Sequence, residues 1–117
     1  MTRLIAYKGR NMDYTLTIKD QDAVPVPLGG ATVKFMVKEK LTDTDANAKI
    51  TKSSATPTQI TIDSPTSGIV TVFLVPADTQ SLTVRDYYWD IYVVTSTLKE
   101  YSSEPDEFGV KGVVRTD

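Results

Sequence analysis

The sequence predicts an all-β protein, an immunoglobulin-like β-sandwich of about seven to nine antiparallel strands. First, apolar and polar residues alternate along several short stretches, which is typical of strands with one buried face and one solvated face. Second, Gly, Pro, Asp and Ser separate these stretches, as in strands joined by turns. Third, no stretch has helical periodicity over the length of an ordinary helix. A closed barrel stays an alternative, because the pattern predicts strands but not their order.

The central strand is predicted over residues 85–95, which hold the single Trp and three of the six Tyr. Nearly all of these residues are β-branched or aromatic, and the run contains no Gly or Pro, as expected for a central strand. The uncharged face, which we expect to point toward the core, contains Tyr87, Trp89, Ile91 and Val93. We therefore predict that Trp89 is a core residue with Phe35 and Phe73 as neighbours across the sandwich.

The same alternation predicts the other strands, over residues 4–7, 12–18, 31–38, 49–51, 59–63, 69–75, 98–103 and 108–115. Residues 64–68 contain Pro and Gly and predict a hairpin turn. Residues 76–82 begin with Pro and predict a single helical turn. Residues 104–107, which contain a Pro between acidic residues, are expected to interrupt the β-structure between the last two strands. Gly109 and Gly112 predict a bulge or a close backbone approach in the last strand.

Composition predicts one domain over residues 1–117 and argues against several classes of function. The net charge of −2 argues against binding to nucleic acid through its phosphates. No apolar run approaches the roughly 20 residues that span a bilayer, so a membrane partner is not expected. The chain has no Cys and no His, which removes thiolate catalysis, zinc-finger ligands and the usual general base. We therefore predict no enzyme activity, no catalytic residues, no metal and no cofactor.

One acidic segment resembles the opening of a calcium-binding EF-hand loop, with Asp43, Asp45 and Asn47 at alternate positions. The resemblance then ends, because Ala48 stands where the loop requires Gly and Ser54 stands where it requires Glu. We interpret this segment as a solvated loop.

The outward faces of the predicted strands are the candidate interface, because Tyr and Arg are enriched in protein interfaces. Its residues are Lys34, Met36, Lys38, Tyr88 and Tyr92. The polar segment 40–58 is also included, since it is too long and too polar to be expected in the core. Deleting it should therefore leave folding intact and weaken assembly. A sugar-binding surface around Tyr88 and Tyr92 is the alternative.

The segments follow one another in a characteristic order. It comprises a Pro-Leu-Gly-Gly-Ala turn at 27–31, Thr-Val-Lys-Phe-Met-Val-Lys at 32–38, Ser-Gly-Ile-Val-Thr-Val-Phe-Leu at 67–74, Pro-Ala-Asp-Thr at 76–79 and Tyr-Tyr-Trp-Asp-Ile-Tyr-Val at 87–93. This order resembles the immunoglobulin-like domain of tailed-phage virion proteins, as at the N-terminus of phage baseplate upper proteins, over roughly residues 7–115.

The resemblance implies a non-enzymatic structural protein of the virion, made in the cytoplasm of the host bacterium. It would assemble through interfaces with other virion proteins in the baseplate, tail, neck or head decoration. It would be present as a homo-oligomer or in multiple copies. The alternative function is a carbohydrate-binding module that takes part in attachment to the host surface.

Overall fold

The computed structural model describes residues 3–20, 22–98, 100–102 and 106–112, and its strands form two sheets. The strands are β1 (Leu4–Tyr7), β2 (Met12–Thr17), β3 (Thr32–Lys38), β4 (Ile50–Ser53), β5 (Ile60–Ser64), β6 (Ile69–Leu74), β7 (Asp86–Val94), β8 (Glu100–Ser102) and β9 (Asp106–Lys111). A four-residue helical turn, α1 (Pro76–Thr79), connects β6 to β7. None of the described helices is long and apolar enough to cross a membrane.

The strand order is that of an immunoglobulin-like sandwich, which confirms the predicted fold class. The large sheet has the order β1-β9-β7-β3-β4, with β8 beside the second half of β7, and the small sheet has the order β2-β6-β5. One pairing differs from the prediction, because β1 runs parallel to β9. The turn after β1 carries the chain into the other sheet, so β1 does not form a hairpin with β2. It joins the edge of the large sheet instead.

The core lies between the sheets and is built on aromatic rings. Tyr87, Trp89, Ile91 and Val93 of β7 are all buried, as predicted. The ring of Trp89 lies 5.6 Å from that of Phe35, and Phe35 lies 6.4 Å from Phe108, measured between ring centroids. Phe73 was predicted as a core neighbour of Trp89, and this prediction is wrong. The core face of β6 carries Val70, Val72 and Leu74, and alternation therefore places Phe73 on the outer face.

A tyrosine fixes the entry into β7. The Tyr87 hydroxyl donates a hydrogen bond of 2.9 Å to the backbone carbonyl of Thr83, four residues earlier. This is the tyrosine corner of immunoglobulin-like domains, in which a Tyr near the start of the strand bonds back to the preceding turn. Burial raises the pKa of Tyr87, and the nearby Arg85 charge opposes that rise. The hydroxyl therefore stays a neutral donor.

The last strand differs in detail from its prediction. It begins at Asp106, within the segment predicted to interrupt the strands, and it ends at Lys111. Residues 113–115 of the predicted strand, residues 99 and 103 of the predicted strand before it, and residues 104 and 105 between them lie outside the described residues. Gly109 marks a close approach and not a bulge, because the β7–β9 register is continuous. A Cβ atom at Gly109 would lie 3.1 Å from both Arg3 Nη2 and Asp86 Oδ1.

Segment 40–58 is part of the fold, which overturns its interpretation as an expendable loop. Its second half contains β4, which pairs with β3 along the edge of the large sheet. Ile50 and Lys52 of β4 are only 3% and 6% exposed. The Lys52 ammonium lies 2.7 Å from the Asp78 carboxylate of α1. Deleting the segment would therefore remove a strand and a buried ion pair, and we expect it to unfold the protein.

Candidate functional site

The five predicted interface residues lie together on the outer face of the large sheet. The antiparallel register of β3 and β7 places Lys34 opposite Tyr92 and Lys38 opposite Tyr88. Met36, between the two lysines, is opposite Asp90. Residues directly opposite each other on one face have Cβ atoms about 5 Å apart. Lys34, Met36, Lys38, Tyr88 and Tyr92 therefore form one continuous surface, the β3–β7 patch.

The members of the β3–β7 patch are not equally accessible. Lys34 and Tyr88 are exposed, with 38% of Tyr88 accessible, whereas Met36, Lys38 and Tyr92 are half-buried. Beside them lies Leu41, which is 60% exposed and which the sequence did not single out within segment 40–58. A large aliphatic side chain exposed next to an exposed Tyr and a Met gives the patch an apolar centre with a polar border.

A small hollow lies in this apolar centre. It has a volume of about 40 Å³ and is lined by Met36, Lys38, Leu41, Tyr88, Trp89 and Asp90. Pockets for small ligands generally measure about 300 Å³ or more, so this hollow is too small for a metabolite. It has the size to receive part of a single side chain from another protein.

Charges in the patch are organised around Lys38. Its ammonium lies 2.7 Å from the Asp45 carboxylate, and this hydrogen bond and charge lower the pKa of Asp45. Partial burial raises the pKa of Asp90, and the charge of Lys38 opposes that rise. The pKa values of the two acids near Lys38 are therefore shifted in opposite directions, that of Asp45 downward by its pairing with Lys38 and that of Asp90 upward by loss of solvent.

The Tyr92 hydroxyl is already occupied, since it donates a hydrogen bond to the Glu100 carboxylate. This bond raises the pKa of Tyr92. A sugar-binding platform needs polar groups close to the ring that are available to sugar hydroxyls. Only Tyr88 of the two tyrosines combines an exposed ring with a hydroxyl that makes no described hydrogen bond.

The residues resembling an EF-hand do not converge on one point. The Asp43 carboxylate accepts a hydrogen bond from the backbone N–H of Lys40, and the Asp45 carboxylate faces Lys38. Asp43 and Asn47, but not Asp45, line an open concavity of about 500 Å³ together with Glu39, Lys40, Ala46, Ala48 and Lys49. Across the parts of the chain that the structure describes, no cluster of three or more His, Cys, Asp or Glu side chains could hold a metal ion.

No protein-family model matches the chain, and no curated protein matches it.

Proposed function

We propose that this protein is a non-enzymatic assembly protein that binds another protein through the β3–β7 patch and contributes to a phage particle. The observation that carries the proposal is the convergence of the five predicted residues on one face, around an exposed apolar centre. Interfaces of this kind combine a central aromatic or aliphatic anchor with a polar rim. The β3–β7 patch has both parts.

The rigid backbone beneath the patch also favours binding. β3 and β7 are the two central strands of the large sheet, each paired on both sides. Their inner faces are packed in the aromatic core, so the outer side chains are held on a rigid support. A surface held in this way loses little conformational entropy when a partner binds. We infer that the small hollow beside Tyr88 receives one anchor side chain of the partner.

The location in a virion is supported by the resemblance of segments 27–38, 67–79 and 87–93 to immunoglobulin-like domains of tailed-phage proteins. A domain that acts by binding its neighbours in a particle needs surfaces and no reaction centre. The proposal accordingly names other virion proteins as partners and assigns no chemistry to the carboxylates.

The test compares wild-type protein with a variant of the patch in particles purified from cells that carry the gene. Met36→Glu combined with Tyr88→Glu places two charges in the apolar centre. Removing these charges from water would cost free energy when a partner binds, so binding should weaken. We expect quantitative mass spectrometry to find the wild-type chain in the particles and to find the variant depleted at least tenfold. Circular dichroism and thermal unfolding check that the variant is folded.

The matched control places the same charge outside the patch and away from the sheet edges. Val24→Glu combined with Val84→Glu changes two apolar residues of connecting segments that are 54% and 52% exposed, and this folded variant should enter particles as the wild type does. Absence of the wild-type chain from particles would refute the virion proposal. Normal incorporation of the patch variant would refute the assignment of the surface.

A further inference from the structure

The backbone groups at the free edge of β2 can be identified from the hydrogen bonds around it. The Ile18 N–H donates to the Gly68 carbonyl at 2.7 Å, and the β2–β6 register continues this pairing to Leu16, Tyr14 and Met12. In an antiparallel pair, alternate residues bond to the neighbouring strand. The N–H and C=O groups of Asp13, Thr15 and Thr17 therefore point away from β6, toward the free edge.

Hydrogen bonds cap part of each edge of the large sheet. On β4 the outward N–H of Ser53 donates to the Gln59 side chain at 3.0 Å, and Lys52 places a charge on the inner side of the strand. On β1 the carbonyl of Ile5 accepts from the Tyr14 hydroxyl at 2.5 Å, and the carbonyl of Tyr7 accepts from the Arg10 N–H at 3.1 Å. Capping groups, inward charges and short length all discourage pairing with another strand.

The two edges of the small sheet differ from each other. β5 has a register irregularity between Ile62 and Ser64, and a bulge of this kind interrupts the row of pairing groups. β2 keeps a continuous register through all six residues and contains no Pro, Gly or Lys. Among the residues that the structure describes, no hydrogen bond reaches the outward backbone groups of β2.

The apolar side chains of β2 are also incompletely buried. Met12, Tyr14 and Leu16 pack against the core but are only half-buried, in contrast to the fully buried Val70 and Val72 of the adjacent β6. A further strand beside β2 would cover this apolar row and satisfy the outward backbone groups in one step. The edge of β2 therefore has outward backbone groups without a described hydrogen bond and apolar side chains that are only half-buried.

We propose that the strand which covers β2 is β2 of a second copy of this chain, related by a two-fold axis through Thr15. In this register Thr15 faces itself, and Asp13 faces Thr17 of the second copy. The outward-pointing residues then meet as hydrogen-bonded pairs, each of which exchanges two bonds. The small sheets of the two copies join into one continuous sheet with the order β5-β6-β2-β2-β6-β5.

The sequence of β2 favours a second copy as the occupant because the strand is complementary to itself in this register. Asp13 is its only charged residue, and it meets a hydroxyl that can donate to it instead of a second carboxylate. On the inner side, Tyr14 meets Leu16 of the second copy. Pairing by a two-fold axis is also the commonest symmetry of soluble assemblies. This interface uses the small sheet and is independent of the β3–β7 patch.

The experiment is a measurement of molar mass by sedimentation velocity over a concentration series of the full chain. We expect the wild-type mass to rise with concentration from 12.9 kDa toward twice that value. Thr15→Pro removes an outward N–H at an edge position where Pro is tolerated. We expect it to raise the dimer dissociation constant by at least about tenfold.

The matched control is Thr51→Pro on β4. Thr51 is also an exposed Thr of an edge strand, and its N–H points outward because Ser54 N–H, three residues later, bonds to Val33 of β3. This variant should dimerise like the wild type. A wild-type chain that stays monomeric at every concentration overturns the proposal, as does an equal effect of the two Pro variants.

The register has its own test, which does not depend on Pro. Thr17→Asp places two carboxylates opposite each other and should weaken the dimer, whereas adding Asp13→Lys to it pairs opposite charges and should restore the dimer. Both variants change exposed side chains, so unfolding temperatures near that of the wild type are expected. Failure of Asp13→Lys to restore a dimer weakened by Thr17→Asp would overturn the register.

Discussion

The two faces of the β3–β7 strand pair differ in almost every physical property, although alternate residues of the same strands form them. The inner face consists of uncharged side chains that are at most 2% exposed: Val33, Phe35, Val37, Tyr87, Trp89, Ile91 and Val93. The outer face is the β3–β7 patch with its two lysines, Met36 and two tyrosines. The inner residues therefore form the core and determine the fold, whereas the outer residues are not needed to fill it. Substitutions on the two faces should therefore affect stability and assembly separately.

Truncation of Trp89 should give the largest effect on stability. Trp89 is 1% exposed and contacts Phe35 at the centre of the core. Trp89→Ala should lower the free energy of unfolding by about 3 to 5 kcal/mol, because it removes a large side chain and leaves a cavity. Urea unfolding followed by circular dichroism measures this loss.

The neighbouring Tyr88 provides the control on the outer face. Tyr88→Ala should change the free energy of unfolding by less than about 1 kcal/mol, since its ring is partly in solvent. The native protein should also show the blue-shifted emission of a buried indole, because it has a single Trp. Equal losses for the two truncations, or red-shifted native emission, would contradict the division between the faces.

Lys52 is the exception to the uncharged inner side of the large sheet. Its side chain is 8% exposed and pairs with Asp78, which is 19% exposed and also accepts the Val75 N–H at 2.7 Å. Lys52→Ala should cost about 3 kcal/mol, because it leaves a largely buried carboxylate without its partner. The double variant Lys52→Met with Asp78→Asn should recover part of this loss, since neither change then leaves an isolated charge. If the loss in the double variant equalled the sum of the losses measured for Lys52→Met and Asp78→Asn singly, the two charges would not be coupled.

The sequence predicted the inner face well because period-two alternation of apolar residues is a local signal. It missed what depends on distant parts of the chain. Lys52 was not expected inside, because its partner Asp78 lies on α1, beyond two intervening strands. Phe73 was placed in the core for its hydrophobicity, although its neighbours Val72 and Leu74 already occupy the inner positions. The parallel pairing of β1 with β9 joins the two ends of the described chain, which no local pattern records.

The sequence predicted which side chains point outward on each strand, but it did not predict that β3 and β7 are neighbours, so the shared face of the five patch residues follows only from the fold. Leu41 escaped notice because it lies in a loop without periodicity, and its position beside Tyr88 follows only from the fold. The free edge of β2 likewise has no sequence signal of its own. It becomes visible only when the bonds that cap the other edges are known.

A smaller effect is expected from the hydroxyl groups of two tyrosines on opposite faces of β7. Tyr87→Phe removes the bond to the Thr83 carbonyl and should cost about 1 kcal/mol of unfolding free energy. Tyr92→Phe removes a bond to Glu100 at the surface and should cost less than about 0.5 kcal/mol. Chemical denaturation resolves the two values. The reverse order would indicate that the tyrosine corner does not fix the entry into β7.

The smallest effects should come from the acids around Lys38, and their signs differ. The pKa of Asp45 is lowered by its bond to Lys38, so its stabilising contribution is present above the unfolded pKa of about 3.9 and is lost as the pH falls through the folded value. The pKa of Asp90 is raised by burial, so its ionisation lowers stability as the pH rises through its folded value. Carboxyl-carbon NMR titrations should place Asp45 below and Asp90 above an unperturbed Asp.

Lys38→Gln tests how far the charge of Lys38 sets the pKa values of Asp45 and Asp90. It removes the charge that favours both carboxylates, so the pKa of Asp45 should rise toward its ordinary value and that of Asp90 should rise further from it. Lys34→Gln is the matched control, because Lys34 contributes only the weakest named influence on Asp45 and none on Asp90. If Lys38→Gln left both pKa values unchanged, the charge of Lys38 would not influence Asp45 or Asp90. The two carboxylates would then titrate independently of Lys38.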